Sequence, residues 1–579
     1  MSFSPDINCS RQSSPTARPR WLTIAGCILG SLLLLRFVTI AHLPYLDPSE
    51  SRYALVGKIM SEDGDLFTPK IYKDGVVIPF LSKPPLHFWL EAASIEFFGM
   101  NQVAVRLPSF ISALIMLALT CYTAFRLFNL EKAIISGLLL FTSGLFFYMA
   151  GSTLVDMTLS AAITGVMVSF LLSSQEKLQN ERVIWKYLFF FFLAMGMLTK
   201  GPIAIIFPGV SILLWCVLSK EWKRLADIPW LKGSLLFFAI IAPVFLLIEK
   251  SNPGFLKYFF INENLLRYLI KNYGDRFGSG HRYPYGSSWF FLLASFFPWT
   301  LIFLPSLIGR MRNGLIKDKL LLYFICWGFG PALFLTFARQ LLGTYLLPSL
   351  GGLAIFTAVT YPQVIHRRNE LRIASLFVLG VSLLAAISTA LTIWSFQIGV
   401  SSEHVIISIC LLVLLSIAVV WVARQKYSFQ MLATSCLALT IAYTSGIVSF
   451  CAYSGRFVSA GALMQKVDAH FDSSHPTLYF PFGVPLSAYL YRDKNENVID
   501  GANGKTLSIK NNNTLIIVRD KQVEELNQRF GNNFNELLRI GKWRVFHKEQ
   551  HKGSCEQAIE RSHRRCTAHA YLKSVDRHA

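Results

Sequence analysis

The sequence predicts a polytopic α-helical membrane protein of about thirteen transmembrane helices, with juxtamembrane helices on the outer face and a small C-terminal α/β domain. Three observations predict it. Hydrophobic residues make up 53% of the 579-residue chain and charged residues only 15%, with a mean hydropathy of +0.45. That is more apolar surface than a soluble domain of this length hides. The apolar residues fall in runs long enough to cross a bilayer, which takes about 20 residues each. The charges between the runs alternate in sign bias from one side to the other.

The runs lie at 21–40, 107–125, 133–149, 157–172, 183–198, 203–218, 233–248, 289–307, 320–337, 342–360, 373–394, 405–421 and 429–451. The first follows a polar head, 1–20, and lacks a small-residue cleavage site, so it reads as a retained span. With the N-terminus inside, the inner segments collect Arg18 and Arg20, Arg126 and Lys132, Lys177, Arg182 and Lys186, Lys220, Lys223 and Arg224, and Arg310, Arg312, Lys317 and Lys319. Arg367, Arg368, Arg372, Arg424 and Lys426 continue the series, whereas the short outer loops 150–156 and 396–403 hold no Lys or Arg. This distribution accounts for much of the net charge of +21 without a nucleic-acid partner, and an odd number of spans places the C-terminus outside. Eight of the ten cysteines sit at Cys9 or in and beside the spans, without metal spacing. Cys555 and Cys566 stand in the tail, where an oxidising compartment would let them pair.

Between the head and residue 453 the chain reads as one transmembrane domain, 21–452, with large outer loops at 41–106 and 250–288. The first loop contains two amphipathic stretches, 50–60 and 86–98, the second with Phe88, Trp89, Ile95, Phe97 and Phe98 on an apolar side and Glu91 and Glu96 polar, as expected of helices in the membrane interface. Residues 453–548 read as the α/β domain: a helix over 458–471, strands at 477–480 and 514–518, a polar helix at 521–530 and a last strand at 543–547. The basic, His-rich stretch 549–579 reads as a flexible tail.

The chemistry-bearing residues fall in the outer loops. Asp47-Pro48-Ser49-Glu50-Ser51-Arg52-Tyr53 follows the first run. It reads either as a helix start, with Ser49 as cap and the acid in the first turn, or as carboxylates that activate an acceptor hydroxyl or hold a cation. Lys83 stands before Pro84-Pro85, on a stiff loop where it grips a phosphate as a point charge or serves as a surface turn residue. Asp156 closes Gly151-Ser152-Thr153-Leu154-Val155, where it also suits a helix N-terminus. Lys200, in Thr199-Lys200-Gly201-Pro202, and Arg339 lie outside against the charge preference, with Tyr345 nearby. Glu263 and Arg267 are spaced i,i+4 and also suit a simple helical pair; His281 and Arg282 follow. All map to one side of the membrane. Cations there suit a phosphate, and acids suit an acceptor proton or a metal.

In this order the motifs resemble those of bacterial aminoarabinose transferases of lipid A and the related protein mannosyltransferases. They are the acidic motif with Arg52-Tyr53-Ala54, the Lys83-Pro84 loop, Asp156, Thr199-Lys200-Gly201, Tyr258-Phe259-Phe260 through Glu263 to Arg267, and Thr344-Tyr345. The resemblance covers roughly residues 20–450. It implies a C-type membrane glycosyltransferase fold and an inverting transfer from a polyprenyl-phosphate sugar, hexosyl or pentosyl, to lipid A, another glycan or a protein, on the periplasmic face of the inner membrane. It further implies that Lys83, Arg267 and Tyr345 hold the lipid phosphate, that Asp156 and the Glu50 motif are the catalytic acids, and that Arg52 supports them. Lys200, Glu263 and Arg339 join the substrate-binding set. Two departures stand out. Ser49 occupies the place of the family's Asp, so Asp47 and Glu50 both remain candidates. Ser82 and Asn264 occupy places where the family carries an acid and a His that look like metal ligands, so a divalent cation is an open cofactor. The rivals are a polyprenyl-linked transporter or flippase, which would carry ionisable residues near mid-membrane, whereas apart from Arg36 near the outer end of the first run no charge stands well inside a run, and a non-catalytic assembly factor acting through the C-terminal domain.

Overall fold

The computed structural model describes residues 20–175, 181–266, 270, 282–338, 340–365, 435, 436, 439, 443, 458–471, 476–491, 498–502, 514–531 and 534–548. The expectations placed on 373–394, 405–421, most of 429–451, Arg267, His281, Arg339, Cys555, Cys566 and the tail lie outside them. The chain divides into two units, Met1–Ile71 with Val77–Ser459, and Tyr72–Val76 with Ala460–Ala579.

In the larger unit the order is α1 (Arg20–Ile40), α2 (Ser49–Asp63), α3 (Leu86–Phe98), α4 (Gln102–Leu127), α5 (Leu130–Phe141), α6 (Gly144–Met149), α7 (Val155–Ser173), α8 (Arg182–Lys200) and α9 (Ile203–Ser219). Then come α10 (Trp222–Ala226), α11 (Trp230–Ser251), α12 (Phe255–Lys257), a π-helix (Tyr258–Leu266), α13 (Ser287–Ser295), α14 (Thr300–Arg312), α15 (Lys319–Phe334), a 3-10 helix (Gly343–Ser349) and α16 (Leu350–Ile365). A short hairpin, β1 (Lys70–Lys73) and β2 (Val76–Pro79), precedes α3. Among the described residues seven helices are long and apolar enough to cross a membrane, or eight with the bent pair α13–α14. The chain is a polytopic helical membrane protein.

α7 lies at the centre. Every residue from Val155 to Ser173 is buried, as befits a helix apolar on all sides. Its neighbours come close because small residues let them: a Cβ at Gly165 would stand 2.4 Å from the Phe192 ring of α8. Such contacts carry helix association where lipid is as apolar as the side chains. α7 and α8 run antiparallel. Asp156 and Lys200 therefore share one end, while at the other Arg182 Nε donates to the Ser173 carbonyl at 3.0 Å. α4 starts on Asn101, whose side chain accepts from the amides of Val103 and Ala104 at 2.9 Å each, a well-formed cap.

Several expected spans take other forms. The run 133–149 is two helices, α5 and α6. Thr142 and Ser143 turn their hydroxyls onto the Leu138 and Leu140 carbonyls, closing the helix end with side-chain bonds. The run 289–307 is bent by 112° between α13 and α14, at a segment containing Pro298, which has no amide to continue the ladder. Residues 342–360 begin as a 3-10 turn rather than an α-helix. Ser49 is not a cap: α2 starts on it, Pro48 holds the cap position, and no side chain caps the end. α3 has the expected bounds but different faces. Phe97 and Phe98 are exposed and Glu91 is fully buried, because Glu91 accepts a bond from the Thr153 hydroxyl.

The smaller unit holds a mixed five-stranded sheet in the order β4-β3-β5-β7-β6. Its strands are β3 (Thr477–Phe480), β4 (Val498–Asp500), β5 (Thr514–Arg519), β6 (Phe534–Ile540) and β7 (Trp543–Lys548), with α17 (Gly461–His470) and α18 (Val523–Phe530). β3 pairs in parallel with β4 and β5, and β7 antiparallel with β5 and β6. The apolar run of β5, Leu515 to Val518, is wholly buried, the pattern of a central strand. Leu526 of α18 packs with Tyr479, Ile516, Val518 and Phe546.

Gly165→Val puts a branched side chain where the Phe192 ring stands. It is expected to lower stability by about 1–3 kcal/mol, read as a lower thermal midpoint of the purified protein. An unchanged midpoint contradicts the tight α7–α8 contact.

Candidate functional site

The α1–α2 connection is held by one guanidinium. Arg106, near the start of α4 and fully buried, meets Glu50 with both prongs: Nε to Oε1 and Nη2 to Oε2, each at 2.9 Å. It also donates to the carbonyls of Ile40 at 3.3 Å, Leu43 at 2.7 Å and Pro44 at 2.8 Å. Glu50 accepts in addition from the amides of Leu46 at 3.2 Å and Thr153 at 3.1 Å. Both carboxylate oxygens are thus engaged in bidentate and amide bonds, and the first-loop motif is tied to the loop that carries Asp156. Asp47, three residues before Glu50, is half-buried in the turn ahead of α2, and Arg52 is half-buried on α2 itself.

Asp156 sits in the first turn of α7 and Lys200 in the last turn of α8. Lys200 Nζ lies 2.5 Å from Asp156 Oδ1 and 3.9 Å from the Tyr345 ring centre, an ion pair backed by a cation–π contact. Gly201 ends α8 at φ +87°, where a Cβ would meet the Phe259 ring at 2.5 Å. Glycine alone tolerates both demands, and the close approach brings the Lys200 end of α8 against the π-helix. That π-helix carries Glu263. π-turns are rare and concentrate at functional sites. Lys83 Nζ donates to Glu263 Oε1 and to the Ser82 carbonyl, both at 2.8 Å, so the expected phosphate-gripping lysine faces a carboxylate.

These residues converge on a cleft lined by Lys83, Leu159, Lys200, Ile203, Phe207, Glu263, Asn264 and Tyr345. One part is charged and the other apolar. Beside it, Tyr53 packs against Phe80 and Phe88. Burial pushes its phenol well above the usual range, and the Asp156 charge adds to the rise. Tyr53 stays protonated there and able to donate. Sequence reading passed over both Tyr53 and Arg106: the first was visible inside Arg52-Tyr53-Ala54, the second as a charge at the threshold of an apolar run.

The structure brings Asp156, Lys200, Tyr345, Lys83 and Glu263 to one place and sets Glu50 behind them through Thr153. It gives the positions of the implied metal ligands to other work. Asn264 donates its amide to the Phe259 carbonyl at 2.8 Å, and Ser82 is buried with its carbonyl on Lys83. Among the described residues no group of three or more His, Cys, Asp or Glu is placed to hold a metal ion.

The family profile described as dolichyl-phosphate-mannose-protein mannosyltransferase matches residues 82–246. The undecaprenyl phosphate-alpha-4-amino-4-deoxy-L-arabinose arabinosyl transferase of Enterobacter sp. (strain 638) is 27% identical over 353 residues, 59% of this chain and 61% of that protein. The protein of the same name from Erwinia tasmaniensis is 28% identical over 318 residues, 54% of each chain. The matched part thus spans under two thirds of these relatives' length. The crystal structure of ArnT from Cupriavidus metallidurans bound to undecaprenyl phosphate superposes with a TM-score of 0.73 at 19% identity, covering 92% of this chain and 98% of that one. The chain has the ArnT fold, and it resembles the aminoarabinose transferases and protein mannosyltransferases as its motifs implied.

Arg106→Met leaves the Glu50 carboxylate buried without its partner, an expected cost of about 3–5 kcal/mol. The double variant Glu50→Gln/Arg106→Met is expected to cost less than the sum of the single changes. Unfolding measurements check this; additive effects contradict the pair.

Proposed function

We propose that the protein is an inverting glycosyltransferase that moves a sugar from a polyprenyl-phosphate donor to an acceptor of the cell envelope. The observation that carries the reading is the cleft itself: two ammonium groups, Lys83 and Lys200, each met by a carboxylate, beside an apolar wall of Leu159, Ile203 and Phe207. A phosphate ester on an isoprenoid chain has the same division into an anionic head and an apolar tail. The motif resemblance and the relatives' names support the same donor class.

In the proposed reaction the acceptor oxygen attacks the anomeric carbon from the face opposite the phosphate. The carbon–oxygen bond to phosphate breaks, and its electron pair stays on the departing lipid phosphate. Lys83 and Lys200 offset that charge in a largely desolvated site. Tyr345 backs Lys200, and the motif resemblance adds Arg52, Arg267 and Arg339 to the proposed phosphate-binding set. The proton of a hydroxyl acceptor passes to a carboxylate. Because both oxygens of Glu50 serve Arg106 and backbone amides, Asp156 and Asp47 take the acid–base role and Glu50 holds the loop. No step is routed through a divalent cation.

The donor to assay first is undecaprenyl-phosphate 4-amino-4-deoxy-arabinose, a pentosyl donor, and the acceptor lipid A, with glycans and proteins after it. The proposed topology has thirteen spans in the bacterial inner membrane, the N-terminal head 1–20 in the cytoplasm, and the large loops 41–106 and 250–288 and the 453–548 α/β domain in the periplasm. A transporter would use ionisable groups within its spans. Arg36 of α1 is instead taken up by the Tyr148 carbonyl at 2.9 Å and the Thr39 hydroxyl at 3.2 Å.

With purified protein, labelled donor and lipid A, transfer is expected, and Lys83→Ala and Asp156→Asn are each expected to lower turnover about 100-fold or more. No transfer to any envelope acceptor together with no donor binding overturns the reading. Glu263→Gln removes the carboxylate that competes for Lys83, so undecaprenyl phosphate is expected to bind about tenfold more tightly, ~1.4 kcal/mol. Weaker binding, followed by intrinsic fluorescence, contradicts the competition.

A further inference from the structure

α7 has no cap of its own: Leu154 holds the cap position and no side chain bonds the first amides. The segment that carries Asp156 is fixed from elsewhere. On its N-terminal side, the Thr153 hydroxyl donates to Glu91 Oε1 and the Thr153 amide to Glu50. On its C-terminal side, Thr158 Oγ1 lies 2.9 Å from His87 Nδ1 and 3.1 Å from Ser112 Oγ. His87 and Glu91 are one turn apart on α3, both fully buried, with Nε2 and Oε1 3.2 Å apart. The two anchors of the segment thus come from neighbouring residues of α3, close in space but without a hydrogen bond between them: His87 Nε2 and the other oxygen of Glu91, Oε2, are both buried with no hydrogen-bond partner. Glu91 Oε2 sits over Gly57 of α2, where a Cβ would approach it to 2.9 Å and the Glu91 Cβ to 2.7 Å. A buried carboxylate with an unmet oxygen is costly. Gly57 makes room for Glu91, and the bonded oxygen of Glu91 holds Thr153.

We propose that the Glu91–His87 pair and Thr153 are positioning residues for Asp156. They fix the backbone on both sides of the carboxylate, so that it meets Lys200 and the acceptor proton in one geometry. Neither residue lines the cleft, and the pair acts through the 153–158 segment. The proposal rests on the reading that Asp156 handles the acceptor proton. Misplacing a reacting group by about 1 Å costs on the order of 100-fold in rate, whereas the grip on the lipid phosphate by Lys83 does not pass through this segment.

The test uses the full-length protein in lipid nanodiscs with undecaprenyl-phosphate aminoarabinose and lipid A, and compares Thr153→Val, Thr153→Ser, Gly57→Ala and Asp156→Asn. Thr153→Val keeps the shape and removes the donor. It is expected to lower kcat about 10–100-fold, with KM for the donor and affinity for undecaprenyl phosphate within about twofold of the parent. Thr153→Ser restores the hydroxyl and is expected to recover kcat to within about threefold. Gly57→Ala pushes on Glu91 while every polar group stays in place, and is expected to reproduce the kcat loss; it decides the matter if Thr153→Val does not fold. An unchanged kcat in the folded variants, or equal losses in kcat and lipid-phosphate affinity, overturns the proposal. If Asp156→Asn is inactive while Thr153→Val and Gly57→Ala are fully active, the positioning role fails and the function stands. If Asp156→Asn is fully active, the reading of Asp156 fails and the positioning role with it.

Discussion

The ion pair between Asp156 and Lys200 is the contact on which the rest of the site depends. It joins residues 44 positions apart at the shared end of α7 and α8, and it exists because those helices lie antiparallel and unusually close. Gly165 admits the Phe192 ring between them, and Gly196 of α8 admits Ala204 of α9, where a Cβ would stand 2.7 Å from the Ala204 methyl. Gly201 then turns the chain from α8 into α9 while pressing on the π-helix that carries Glu263. Small residues, rather than charges, set the positions of the charges.

A second property follows from the same packing. Among the described residues that line the cleft each cation is met by an acid, Lys200 by Asp156 and Lys83 by Glu263. Largely buried charges in a medium of low polarizability are costly unless paired. The described lining is therefore close to electrically balanced. In the proposed reaction the phosphodiester of the donor gains contact with the lysines by competing with carboxylates.

Much of the cleft's charged lining was legible in the sequence, because Lys83, Asp156, Lys200 and Glu263 stand out as charges in short polar motifs between apolar runs. α2 and α3 were legible from their periodicity. The pairings were not. Lys83 meets Glu263 across 180 residues, and Glu50 meets Arg106 across 56; periodicity carries no record of contacts at that range. Glu91 looked like the polar side of an interfacial helix because its neighbours Phe97 and Phe98 are apolar, yet the buried partner Thr153 outweighs that pattern. The breaks at Thr142–Ser143 and at Pro298 were hidden inside runs apolar enough to read as continuous spans. In the smaller unit β5 was plain from its unbroken apolar run. β6 was not, because its register shifts between Glu536 and Leu538 and it leaves most of its side chains exposed.

The central claim is that the Lys83–Lys200 cleft is the seat of a lipid phosphate. An experimental structure of the protein with undecaprenyl phosphate added tests it most directly. The account predicts phosphate oxygens within hydrogen-bond distance of Lys83 Nζ, the Lys83–Glu263 contact opened from 2.8 Å, and the lipid chain along Leu159, Ile203 and Phe207. A phosphate bound away from this cleft, with the Lys83–Glu263 pair intact, would contradict it.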